Sequence, residues 1–164
     1  MATVDEICAG LQQTSWFREL GEEQCKKIAA IAFLRAFKAG EIFFREGDEQ
    51  GNVYFLIKGR VALDMFIPHR GKVRFYTAEQ GDVVGWSSVT PSIRQRTAGA
   101  VAVIDTLAIG MDAEKLNRLC EEDHDLGFIF MRRLANDVAN RLLVTRLQLM
   151  DIFAKPAETK PDEG

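Results

Sequence analysis

The sequence predicts a mainly β fold flanked by helices, and three features of its 164 residues carry that prediction. Between residues 33 and 111, short runs of Phe, Val, Ile and Tyr recur at close spacing, separated by glycine-containing turns. That texture belongs to an antiparallel sandwich or barrel. On either side the spacing of apolar residues turns helical, loosely before residue 32 and over a much longer stretch after residue 112. At 47% hydrophobic and 27% charged residues the chain can bury a substantial core and is neither disordered nor membranous.

Residues 1–32 read as an N-terminal helical segment. Val4, Ile7, Leu11, Trp16, Phe17 and Leu20 supply its first apolar positions, and Gly10 and the pair Thr14-Ser15 interrupt them, so two short helices are expected. Gly21-Glu22-Glu23 opens a third helix with Cys25, Ile28, Ala29, Ile31 and Ala32 on its buried side. Trp16 and Phe17 read as core anchors.

The barrel is expected over residues 33–111. Phe33, Phe37, Ile42, Phe43 and Phe44 are β-formers around the turn Lys38-Ala39-Gly40, and Arg45-Glu46-Gly47-Asp48 forms another turn. Val53 to Ile57 is a buried strand closed by Lys58-Gly59. Val61, Leu63 and Met65 alternate with Ala62 and Asp64, as in a strand with one solvated face. Pro68-His69-Arg70-Gly71 makes a hairpin tip, after which Val73, Phe75 and Thr77 return. Strands near 98–103 and 107–110 complete the set.

Within the barrel, residues 81–102 (GDVVGWSSVTPSIRQRTAGAVA) form the stretch richest in binding chemistry. Gly85 lets the backbone come close to a ligand, and the segment after it, Trp86-Ser87-Ser88, can aim N–H groups outward as a helix N-terminus does. Eleven residues on, Arg96 supplies a permanent planar cation suited to phosphate, and Thr97 places a hydroxyl beside it. Amides, guanidinium and hydroxyl together make an anion cradle.

Residues 112–153 read as C-terminal helices. Asp112 is an N-cap for a helix running to about Cys120, and Glu121-Glu122-Asp123 breaks the chain before a long helix from about Asp125 to Phe153. In it Met131, Ala135, Val138, Leu142, Thr145, Leu149 and Ile152 fall at alternating spacings of four and three, the seam of a coiled coil. A homodimer through this helix is expected; packing on the helix's own sheet is the other use of such a face. Residues 154–164 are expected to be a disordered tail.

Composition narrows the chemistry further. Cys8, Cys25 and Cys120 are odd in number and far apart in sequence, which argues against a disulfide framework and for reduced thiols in a cytoplasmic protein. His69 and His124 are the only histidines, too few for a multi-histidine metal site. A net charge of −3 weighs against nucleic acid as the main partner. No apolar run reaches the length of a spanning helix, so no membrane association is expected. Asp48, Glu79 and Asp82 lie in turns without a nucleophile–base set, so no enzymatic activity is expected.

The order of helices and strands, the segment EIFFREGDEQGNVYFLIKGRVAL, the cradle GDVVGWSSV…RTAGAVA and the long final helix resemble the cyclic nucleotide-binding domain family. The resemblance covers roughly residues 16–150. It implies a double-stranded β-helix (jelly-roll) barrel, a regulatory dimer and a cyclic nucleotide such as cyclic AMP or cyclic GMP as ligand, with no cofactor. Carried over, Gly85 and the amides of Trp86, Ser87 and Ser88 would face the cyclic phosphate. Arg96 would pair with its charge, Thr97 would bond an exocyclic oxygen, and Thr145 would reach a base edge. Gly40, Gly47 and Gly59 would be structural turn glycines.

One position departs from the family. Binding members usually carry a glutamate directly after this glycine, where it accepts from the ribose 2′-hydroxyl; here Trp86 stands there. Loss of such a charged hydrogen bond weakens binding by about 1.5–3 kcal/mol. Trp86 would either cover the sugar or block the pocket, and the blocked case would leave a ligand-free interaction scaffold. Activator-type relatives continue into a DNA-reading helix-turn-helix, whereas about ten residues follow the long helix here, so direct DNA binding is not expected.

Overall fold

The computed structural model describes residues 2–154, which leaves the tail from residue 155 onward outside the described residues. Helix α1 (Val4–Gln13) starts from a capping box in which the Thr3 hydroxyl accepts from the Glu6 amide and the Glu6 carboxylate accepts from the Thr3 amide. The expected break at Gly10 does not occur. Gly10 lies inside α1, and a Cβ there would stand 3.0 Å from the Ile109 side chain, so the residue marks a close helix–sheet contact. Helix α2 (Glu22–Ala29) buries Cys25, Ile28 and Ala29, and the residues between α1 and α2 form turns rather than a second helix.

Eight strands follow among the described residues: β1 (Ala32–Phe37), β2 (Ile42–Phe44), β3 (Asn52–Lys58), β4 (Val61–Ile67), β5 (Gly71–Ala78), β6 (Val83–Val84), β7 (Gly99–Ala102) and β8 (Thr106–Asp112). They form two four-stranded antiparallel sheets, ordered β1-β8-β3-β6 and β2-β7-β4-β5. A 3-10 turn, Trp86–Val89, leaves β6 directly. Gly40, Gly47 and Gly59 all sit at turns with positive φ, as expected. Asp112 caps helix α3 (Ala113–Glu122), its carboxylate accepting from the Lys115 amide at 2.9 Å. The break before the last helix is narrower than the acidic triplet suggested, since Glu121 and Glu122 still belong to α3. Helix α4 (His124–Ala154) then runs for 31 residues.

The alternation along the strands sends side chains to two interiors. One lies between the β1-β8-β3-β6 sheet and the helices, where Trp16, Phe17, Phe55, Ile109, Leu116, Leu126 and Phe130 are all buried. Trp16 and Phe17 are the core anchors expected of them. The other lies between the sheets and gathers Phe37, Phe43, Tyr54, Leu56, Val61 and Val84.

Helix α4 changes character along its length. Its first turns bury Leu126, Gly127, Phe130 and Leu134, whereas Leu142, Leu143, Val144, Leu147, Leu149, Met150, Ile152 and Phe153 are exposed. The cysteines also differ from their spacing in sequence. α1 and α2 bring Cys25 beside Cys8, whose carbonyl oxygen lies 3.9 Å from the Cys25 sulfur. Burial, with the Cys8 side chain second, pushes the Cys25 thiol up to about 12.

Candidate functional site

Gly85 is where β6, the first strand of the cradle, meets the turn after it. Its φ of +79° is left-handed backbone that favours glycine, and a Cβ there would lie 2.5 Å from Arg96 Nη1 and 3.1 Å from the Asn52 carbonyl oxygen. The missing side chain is therefore the space the Arg96 guanidinium occupies. Arg96 is 4% exposed. Its Nη1 donates to the Gly85 carbonyl at 3.1 Å and its Nη2 to the Asn52 carbonyl at 2.6 Å. Its Cζ stands 4.0 Å over the Phe44 ring, and its Nε, also buried, has no hydrogen-bond partner. Burial lowers its pKa, against which the neighbouring Tyr54 and Asp48 act.

The Arg45–Asp48 turn explains why the two motifs of the sequence come as a pair. Gly47 donates its amide to the Arg96 carbonyl at 2.8 Å, and Arg96 donates its own to the Asp48 carbonyl at 2.8 Å. Gln50 extends the clasp. Its Nε2 donates to the Gln95 carbonyl at 2.9 Å and to Ser87 Oγ at 3.2 Å, and its Oε1 accepts from Ser88 Oγ at 2.8 Å. One half of the cradle is thus tied to the other through a residue the sequence did not single out.

Arg96 lines a cavity of about 380 Å³ between the β2-β7-β4-β5 sheet, the turn after Gly85 and α4. Of the expected site residues, Gly85, Trp86, Ser87, Arg96, Thr97 and Thr145 all reach it. Ser88 does not: its amide donates to the Gly85 carbonyl at 3.1 Å, and its hydroxyl is turned to Gln50. Trp86 packs one side against the helix-covered core and presents the rest to the cavity, so it forms a wall and leaves the space open. The blocked pocket foreseen as an alternative does not form.

Two contributors were missed in the sequence. Phe44, Leu63, Phe75 and Tyr76 make the floor, and alternation along β4 could have placed Leu63, whereas Phe75 and Tyr76 are neighbours on β5 that alternation alone would not put together. Arg141 is the other. It lies one turn before Thr145 on α4, and its Nε stands 2.9 Å from Asp137 Oδ2. Its Nη2 donates to the Val83 carbonyl, and its Cζ lies 4.7 Å over the Tyr76 ring. Tyr76 in turn donates to Asp82 at 3.2 Å. Arg141 therefore holds α4 to the strand that ends in the cradle. Burial raises the pKa of Asp137, and Arg141 opposes that shift. Arg146, by contrast, is exposed and outside the lining.

The sequence profile described as "Cyclic nucleotide-binding domain" matches residues 34–123, more than half of the chain. The chain belongs to that family. As a cyclic nucleotide-binding domain it is 29% identical over 124 residues to the Pycsar effector protein XpPycTIR of Xanthomonas perforans, covering 74% of this chain and 37% of that protein. It is 24% identical over 123 residues to the HTH-type transcriptional regulator ArcR of Staphylococcus aureus, covering 75% of this chain and 51% of the other. The domain thus spans about half or less of the length of these curated relatives. Among solved structures, a cyclic nucleotide-binding domain from Methylobacillus flagellatus superimposes with a TM-score of 0.76 at 19% identity, covering 90% of this chain and 83% of that one. At that identity the likeness shows the fold. Among the described residues of the domain, no helix is long and apolar enough to cross a membrane.

Proposed function

We propose that this domain is a sensor that binds cyclic AMP, cyclic GMP or a similar cyclic phosphate in the cavity beneath α4, and that it does so as a cytoplasmic homodimer without catalysing a reaction. The observation that carries this reading is the buried Arg96 guanidinium, held on main-chain carbonyls with no carboxylate paired to it among the described residues and facing an open cavity. A phosphate is a stronger acceptor than a neutral carbonyl, and charge-assisted bonds to a guanidinium are about twice as strong as neutral ones. The anion would take the fork from Gly85 and Asn52, with Thr97 adding a hydroxyl. Thr145 would meet the other end of the ligand from α4.

Such a ligand would touch barrel and helix at once. It can act as a signal only by favouring one arrangement of α4 over another. The exposed apolar residues of α4 beyond Leu142 form a surface that a second copy would cover. The two curated relatives named above are an effector and a transcriptional regulator in which the matched segment is a fraction of the chain. By analogy, this domain would pass its signal to a partner through α4, and it would not itself read DNA.

Titration calorimetry with cyclic AMP and cyclic GMP tests this directly. Binding by at least one of them, weakened at least tenfold in Arg96→Gln with its circular dichroism unchanged, is the expected result. Failure of both to bind folded protein at about 100 μM, equivalent to a free energy weaker than about −5.5 kcal/mol, would exclude a cyclic-nucleotide sensor. Light scattering of Leu147→Arg beside the wild type tests the dimer, which should fall to a monomer.

A further inference from the structure

The spacing of apolar residues places a seam on the last helix at Met131, Ala135, Val138, Leu142, Thr145, Leu149 and Ile152. In the structure the middle of that seam is already in use. Val138, Leu142 and Thr145 line the cavity beneath α4, and the Thr145 hydroxyl donates to the Arg141 carbonyl at 2.8 Å. A parallel pair built on this seam would also set Arg141 of one copy against Arg146 of the other, because residues five apart flank such a seam on facing helices. A second stripe is free. Leu143, Leu147 and Met150 are each more than half exposed, and with Ala154 they repeat at spacings of four, three and four. At about 100° per residue this stripe lies about 150° round the helix from the first, facing away from the cavity.

We infer that two copies of the chain pair in parallel and in register through Leu143, Leu147, Met150 and Ala154, with Arg146 of each copy bonded to Asp151 of the other. The inference deepens the homodimer reading and rests on it for the occupant of the face. Charge is what selects a second copy. Arg146 and Asp151 are exposed, flank the stripe on its two sides and enter no ion pair among the described residues. Their separation of five residues is the offset at which flanking residues of parallel helices meet, so two-fold symmetry makes the pair twice. Asn140 takes the inward position that precedes Leu143, where an asparagine favours two strands in register. Dimer and ligand would thus use opposite sides of one helix, and the second copy would add no residue to the cavity.

Sedimentation equilibrium on the whole chain tests the face, with circular dichroism as the check on folding. Leu143→Arg should raise the dimer dissociation constant by about tenfold or more, and Leu149→Arg, on the other stripe, should leave it within about threefold. Arg146→Asp and Asp151→Arg should each raise it about tenfold by making like-charged pairs. The double variant Arg146→Asp with Asp151→Arg should return it to within about threefold of wild type. A shift by Leu149→Arg as large as that by Leu143→Arg, or a double variant no tighter than either single one, would overturn the inference and leave the homodimer standing. A wild type that stays monomeric at about 100 μM would overturn both.

Discussion

Trp16 and Trp86 both pack against the core beneath the helices, yet one closes that core and the other borders a void. Trp16 is 3% exposed, with Phe55 and Phe130 at centroid distances of 5.4 and 5.8 Å and its indole N–H on the Gly81 carbonyl at 3.1 Å. Trp86 is half-buried and shares its cavity with a guanidinium. What separates them is what stands opposite. Aromatic edges on two sides of Trp16 make a stabilising contact, whereas Trp86 borders a cavity that also exposes a buried cation without a carboxylate partner among the described residues. An aromatic residue's identity therefore says little about its role until the groups facing it are known.

The contrast is broken most severely from the closed side. Trp16→Ala should cost about 3–5 kcal/mol, read as a fall in the urea midpoint, because rings on two sides cannot collapse into the gap. Gly85→Ala should come next, at about 1–3 kcal/mol for a left-handed backbone that now carries a Cβ. It should also abolish nucleotide binding at concentrations where the wild type saturates, since the methyl displaces Arg96. Trp86→Ala should cost only about 1 kcal/mol, as the ring already faces open space on one side. A cost for Trp86→Ala equal to that for Trp16→Ala would make the two tryptophans equivalent core residues.

The smallest effect is one of acid. Asp123 closes the packed end of α4, accepting from Lys27 at 2.7 Å and from the Leu126 amide at 3.1 Å, and the Lys27 bond leads the causes that lower its pKa. A lowered folded value means that the contribution is complete above about pH 4, the ordinary carboxylate range, and disappears as the pH falls through the folded value. The stability gap between wild type and Asp123→Asn, followed by thermal melts, should narrow on acidification through that window. Asp137, beside the cavity, carries the opposite sign. Burial raises its folded value, so protonation favours the folded state there, and melts of Asp137→Asn against wild type should show a gap that moves the other way with pH.

Much of the architecture was legible in the sequence because strands and helices differ in period, and glycines punctuate the turns between them. Arg96 and Gly85 were legible for another reason: a glycine at a turn and an arginine eleven residues later suit only a few arrangements of two adjacent strands. Ser88 misled because an amide just after the cradle glycine looks free to face an anion, and only the structure reveals that it donates to the Gly85 carbonyl. Gly10 misled in the same way, its role being a close approach to Ile109 far along the chain. Arg141 was invisible because its partners Val83 and Tyr76 are far away in sequence, Val83 by 58 residues, and only Asp137 is local. Long-range pairing leaves no periodic trace.

Helix α4 is anchored at one end and gripped in the middle. Leu126, Phe130 and Leu134 fix its start, Val138 and Arg141 sit at the cavity, and beyond Leu142 its exposed turns project outward. From Val138 to Ala154 the rod extends about 24 Å at the helical rise per residue. Pivoting by a few degrees at the cavity would sweep the tip by one or two ångströms, about the length of a carbon–carbon bond. A displacement too small to notice at the cavity would thus be geared up where exposed leucines and a phenylalanine stand.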